Sequence, residues 1–257
     1  MKLFGQRFLG LLVLGSVFWF FAGCSTYNIS KMQDSKTPDA GSISEISKIR
    51  RILRSACGKL RLVNAGVDNK ESVLEQAEKE TASALSLWQE LGKKYEGNAP
   101  SEYSKHPDWK ASFKEIQSGI KKMHEDIIAK TPDVAFKTCG QTCGKFVELN
   151  TSAQIRRTSD VLFKFRKIAK PLEPIIKNQE IDKILSALPE IEKIRNDAIK
   201  DPVGGTGTLQ EKNTALDDFS KKVNDFCQAV RNKNIDVILD KYAVMMSAME
   251  KAYDLFL

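Results

Sequence analysis

Histidine is nearly missing: the chain of 257 residues has two, His106 and His124. Neither accompanies a serine-bearing elbow, and they do not share the one-turn spacing of a metalloprotease helix. Triad hydrolases and His-based zinc proteases are therefore excluded as readings. Long apolar runs are scarce as well. The longest is an uncharged stretch of 14 residues, 8–21 (FLGLLVLGSVFWFF), short of the ~18–20 residues that cross a bilayer comfortably. Glycine and proline number 15 and 8, which excludes collagen-like and low-complexity chains. No segment shows sustained strand alternation. The run Gly204-Gly205-Thr206-Gly207 lacks the Lys-Ser/Thr of a phosphate loop and reads as a connection. No catalytic constellation is left, so the expectation is a non-enzyme without a cofactor.

What is present is charge and helical periodicity. Lysine and arginine total 40 against 33 acids. The basic residues alternate with acids along the chain, which reads as a solvated helix surface and argues against a nucleic-acid partner. The sharper reading of the small positive excess is attraction to anionic lipid or polysaccharide.

The N-terminal segment is the most specific stretch. Lys2 and Arg7 precede the apolar run, and Ala22-Gly23 lead from it to Cys24. A charged start, a short apolar middle and small residues before the end form a signal peptide over residues 1–23. Phe21-Ala22-Gly23-Cys24 resembles the lipobox of bacterial lipoproteins, with Phe21 where the common pattern has Leu. The resemblance implies a diacylglyceryl group on the Cys24 thiol, cleavage just before it, and an acyl chain on the freed amine. Two or three acyl chains hold a protein on a membrane essentially permanently, at about 0.8 kcal/mol per buried CH₂. Ser25, a non-acidic residue after the cysteine, favours the outer membrane of the cell envelope. Residues 24–42 carry no apolar stripe and read as a flexible linker behind the lipidated cysteine.

Beyond it, the fold class is all-α. Ser42 with Glu45 forms a capping box before the stripe Ile46, Ile49, Leu53, Cys57, Leu60. Asp68 and Glu71 open a second helix with Leu74, Ala77, Thr81, Leu85, Trp88, Leu91 and Tyr95. Pro107 opens a third, with Trp109, Phe113, Ile116, Ile120, Met123 and Ile127. Thr131-Pro132-Asp133 is the start signal of a fourth. Thr151 with Gln154 either restarts a helix or lies within a longer fourth one. Pro171 and Pro174 separate this segment from a stripe at Ile181, Ile184, Leu188, Ile191 and Ile194, where Pro189 should kink or split the helix. Residues 201–207 (DPVGGTG) form a loop. Thr208 and Glu211 cap the next helix, and Asn234 caps the last, lined by Tyr242, Met245 and Met249.

A shift of 103 residues superposes Phe113 on Leu216, Ile116 on Phe219, Ile120 on Val223, Met123 on Phe226 and Ile127 on Val230. It also places Cys139 and Cys143 on Tyr242 and Met246. The body, divided as 43–150 and 151–257, is therefore either two tandem four-helix units or a single elongated helical bundle.

Four cysteines remain in the body. An exported chain meets an oxidising compartment, so Cys57, Cys139, Cys143 and Cys227 are candidates for two disulfides. Cys139 and Cys143 share one helix face, where a bond inside a regular helix is awkward. Cys57 with Cys139 or Cys143 is the more natural pair, and Cys227 with the remaining one would staple the halves together. Reduced core cysteines are the plain alternative. A weaker alternative is a soft-metal site from Cys57, Cys139 and Cys143 with His124 or a methionine. Residues 139–143 are not a haem-attachment run: three residues separate the cysteines where that motif has two, and Gly144 stands where it needs histidine. The functional expectation is a lipid-anchored binding, interaction or structural module, its partners the membrane and an envelope or extracellular protein. The alternative is a metal- or small-ligand-binding bundle using the Cys139/Cys143 face.

Overall fold

The computed structural model describes residues 41–257. The signal peptide, Cys24 and all but the end of the linker lie outside the described residues. The described residues are all-α, with nine α-helices and one short 3-10 helix, Ser101–Tyr103. The α-helices are α1 (Ser42–Asn64), α2 (Lys70–Tyr95), α3 (Trp109–Ile128), α4 (Pro132–Ser152), α5 (Thr158–Ala169), α6 (Leu172–Lys177), α7 (Ile181–Ile199), α8 (Leu209–Arg231) and α9 (Ile235–Phe256).

Packing divides them into two rings with the same order of neighbours. In the first, α1 packs on α2 and α4, and α3 closes the ring against the same two helices. In the second, α5 packs on α7 and α9, and α8 closes against those two. The chain breaks at Pro171, so α5 and the six-residue α6 together occupy the place that unbroken α1 has in the first ring. Each ring encloses its own apolar core, one drawn from Ile46 to Ala153 and the other from Val147 to Leu257. The 103-residue shift maps one hairpin onto the other. All five residue pairs it superposes between α3 and α8 are buried in both copies.

The turns of these hairpins also coincide. After α3, Lys130 donates to the Ile127 carbonyl at 2.9 Å and Thr131 to that of Asp126 at 3.0 Å. After α8, Lys233 donates to Val230 at 2.9 Å and Asn234 to Ala229 at 3.0 Å, the same pairs 103 positions on. These are Schellman closures, in which a left-handed residue reverses the chain and satisfies the last carbonyls. Lys130 and Lys233 hold that position at φ 57° and 53°, which costs a non-glycine residue about 1–2 kcal/mol.

Helix ends differ from the sequence expectation in several places. Ser42 is the first helical residue, capped by no side chain of its own turn. Glu45, its expected capping partner, pairs with Lys94 across the bundle at 2.8 Å. The Glu102 carboxylate stands at the α1 N-terminus and bonds the Ser42 backbone. The third helix starts at Trp109, not Pro107, because the Asp108 carboxylate accepts from the Ala111 amide at 3.1 Å. Thr151 and Gln154 do not restart a helix; Gln154 takes φ 61° in another Schellman turn that ends α4. Pro189 does not split α7, which runs through it; the proline lies on the exposed face, where water can serve the carbonyl it leaves unbonded. The Thr208–Glu211 capping box is present in full. Residues 201–207 form the expected loop, held to the body by Thr206 N–H on the Leu255 carbonyl at 3.1 Å. A β-carbon on Gly205 (φ 93°) would lie 2.3 Å from that same oxygen, so the approach requires glycine.

Trp88 centres the first core. It is fully buried, stacks on Phe113 with ring centroids 4.4 Å apart, and meets Phe146 edge-on at 5.4 Å. Its indole N–H donates to the Phe113 carbonyl at 3.2 Å. The second core has its counterpart in Phe165 edge-on to Phe219 at 4.9 Å.

Between the cores lies a polar seam. Arg50 of α1 meets Asp160 of α5 at 2.7 Å, both side chains nearly inaccessible. The second Asp160 oxygen accepts from the Asn150 amide at 2.7 Å, and the Asn150 carbonyl accepts from the Tyr103 hydroxyl at 2.8 Å. Arg50 also lies over the Phe146 ring, 5.7 Å from its centroid. Nearer the surface, Arg54 pairs with Glu250 and, at 2.8 Å, with Asp254 of α9. The backbone carbonyl of Leu257 accepts from Arg51 at 3.2 Å.

Candidate functional site

The seam opens on one side into a groove of about 770 Å³, within the size range of small-molecule sites. Its walls come from both rings: α1 and α4 on one side, α5, the α5–α6 corner and Tyr253 of α9 on the other. Phe136, Phe163, Pro171, Pro174 and Tyr253 make it apolar. Five cations, Arg54, Lys137, Arg166, Lys167 and Lys170, line it with no carboxylate among them. Lys170 reaches across to the Phe136 ring, 5.6 Å from its centroid, a cation–π contact linking the two walls. The break at Pro171 places two prolines, Pro171 and Pro174, on its wall. Gly140 of α4 also lines the groove, and a β-carbon there would meet nothing within 4 Å.

Cysteine lies in the same groove. Cys57 of α1 and Cys139 of α4 are joined as a disulfide, with Cα atoms 6.1 Å apart. Cys143, one turn along α4 on the same face, keeps its thiol and is partly exposed. All three line the groove, and their sulfur atoms lie within 4.8 Å of one another. Burial pushes the Cys143 thiol above its ordinary pKa, while the positive charges of Arg50, Arg166 and Arg54 pull it back. Tyr253 is pushed up to about 12 by burial, against the fields of Arg50 and Arg54. Burial also works against the Arg54 charge, but its bonds to Asp254 and Glu250 more than restore it.

The remaining candidates stand apart. Cys227 is not paired with Cys143, contrary to the expected second staple. It is a buried thiol on α8, inside the second core. That helix packs on α7 and α9, away from the cysteine-bearing face of α4. Cys227 therefore acts as a small core hydrophobe, its thiol pushed up to about 12 by burial and Glu192. His124 is not part of the sulfur cluster; its Nδ1 is engaged by the Thr81 hydroxyl at 3.0 Å between α2 and α3. His106 accepts the Asp108 amide at 3.1 Å ahead of α3. Tyr242, Met245 and Met249 are buried in the second core.

Sequence reading missed the groove cations. A signal was there: residues 163–171 (FKFRKIAKP) contain four cations and no acid. Comparison of the chain with family models, curated proteins and solved structures finds none that matches it.

Proposed function

We propose that this chain is a non-enzymatic binding protein, tethered by lipid at Cys24 to the cell envelope, with the outer membrane favoured. Its helical body takes an amphipathic anion, free or presented by an envelope or extracellular partner, into the groove between the two rings. One observation carries this reading: an apolar groove with no carboxylate in its lining, where Arg54 and Arg166 are held by Glu250 and Asp254 of α9 and Lys137, Lys167 and Lys170 are the cations left to meet a ligand. Such a lining suits an acyl or aromatic body with a phosphate or carboxylate head. The apolar walls supply most of the affinity, and the fixed cations supply orientation and selectivity. The signal segment and Cys24 support the tether.

Two experiments test the two parts. Replacing Cys24 with serine should release the protein from the membrane fraction or leave an unprocessed precursor. Membrane fractionation with normal processing would overturn the tether. For the groove, calorimetric titration with monomeric dodecyl phosphate should show one site per chain, with weaker binding of the uncharged dodecanol. The double substitution Lys167→Glu and Lys170→Glu should weaken dodecyl phosphate binding roughly tenfold or more, about 1.4 kcal/mol or above. Gly140→Leu, which fills open groove space, should block both ligands. Unchanged binding in these variants would reject the groove as the site.

A further inference from the structure

The three sulfur atoms at the floor of the groove do more than staple α1 to α4. We propose that Cys57, Cys139 and Cys143 form, once their disulfide is reduced, a three-thiolate site for a single soft d¹⁰ ion, Cu(I) above all.

Geometry carries the proposal. The ligand atoms converge from two helices and lie within 4.8 Å of one another as they stand. A metal–thiolate bond of about 2.3 Å sets neighbouring sulfurs about 4 Å apart. Cys143 already lies within 4.8 Å of both partners, so after reduction the two bonded sulfurs need only part to that spacing to form the triangle. Cys139 and Cys143 chelate from one face of α4, and the Cα separation of 6.1 Å to Cys57 suits two ligands of one metal as well as a disulfide. Among the described residues the cluster holds no histidine and no carboxylate. A purely thiolate set selects soft ions over calcium, magnesium or manganese, and three sulfurs suit the low coordination number of Cu(I). Three thiolates with a monovalent ion carry a net charge of −2. The fields of Arg50, Arg166 and Arg54, each of which also has a carboxylate partner, act on Cys143 in the direction that favours its thiolate. The groove gives the ion a path from solvent.

The chemistry balances in two steps. A dithiol reductant passes two electrons and two protons to the Cys57–Cys139 bond, which breaks into two thiols while the reductant closes to its own disulfide. The three thiols then release three protons to water as the ion binds. In reverse, the three sulfurs take back three protons as the ion leaves, and a disulfide oxidant accepts two electrons and two protons from Cys57 and Cys139, becoming a dithiol as their bond re-forms; the same sulfurs thus serve as a disulfide under oxidising conditions and as a metal site under reducing ones. The proposal does not rest on the groove's taking an amphipathic anion, although both sites share its lining.

The test uses the full-length protein, reduced anaerobically with a phosphine, and Cu(I) alone as probe, buffered by a chromogenic chelator. The reduced protein should take one ion per chain with ultraviolet thiolate-to-copper absorption, and the oxidised protein none. Cys143→Ser leaves the disulfide intact, so the variant folds before reduction. It should lose on the order of 100-fold or more in Cu(I) affinity, since a direct ligand matters at least as much as its supporting shell. Cys227→Ser should bind as the parent does. The proposal fails if the reduced protein takes up no copper, if Cys143→Ser keeps the parent affinity, or if the oxidised form binds equally well.

Discussion

Asp160→Ala is expected to lower the stability of the protein by about 3–5 kcal/mol. The magnitude follows from what the substitution leaves behind. Arg50 is 4 % exposed and has Asp160 at 2.7 Å; without it, a guanidinium stays buried beside the Phe146 ring with no countercharge. The Asn150 amide loses its acceptor at the same time, a further unsatisfied polar group between two apolar cores. Urea unfolding followed by circular dichroism measures the loss. Removing both charges is a different experiment. Arg50→Met combined with Asp160→Leu should recover most of the stability, because well-packed apolar groups of similar volume often equal or exceed a buried ion pair. A single Asp160→Ala variant within 1 kcal/mol of the parent would show that water reaches the seam.

Trp88→Ala should be comparably severe, about 3–5 kcal/mol, for a different reason. Trp88 is fully enclosed by Phe113, Phe146 and the inward faces of α1 to α4. Truncation leaves a cavity the size of an indole in a ring of helices already held at fixed spacing by the Cys57–Cys139 bond, so the walls cannot close on it. Two aromatic contacts disappear as well, each worth about 0.5–1.5 kcal/mol beyond burial. Trp88→Phe, which keeps a ring, should cost less than half as much. The cavity lies in the first core. Because α4 gives Val147 to the second core and Arg50 pairs with Asp160 across the seam, the second core should melt with the first, in one transition at a lower midpoint. A single unshifted transition would mean that the site collapses around the smaller side chain.

The sequence disclosed much of the architecture because apolar spacing is the dominant local signal. The stripes of α1, α3 and α8, and that of α7 apart from the partly buried Ile181, are buried in the structure, and the 103-residue shift falls on two hairpins with the same turn. Short or polar features were harder to read. The six residues of α6 are too few to show a period. Arg50 sits on the inward stripe between Ile46 and Leu53, yet a charged residue there is ordinarily assumed to reach solvent; its position on the stripe was the available clue. Cys57, Cys139 and Cys143 were visible as a set, since two share a helix face and the third lies on an inward stripe. Cys227 misled because spacing alone does not tell which ring face a cysteine serves. The groove was invisible for a stronger reason: its walls come from segments that meet only when the two rings are assembled.

The seam has one more consequence, concerning registry. Two purely apolar faces can slide by a helical turn, about 5.4 Å, and still bury similar area. A pair such as Arg50 and Asp160 tolerates no such slip, because one turn of displacement would leave two bare charges in the interior at a cost of several kcal/mol. The two rings therefore lock at a single offset, like a key with one cut. The spacing of Phe136 on one wall and Pro171 on the other thus depends on a charge pair, Arg50 and Asp160, that is not part of the groove lining.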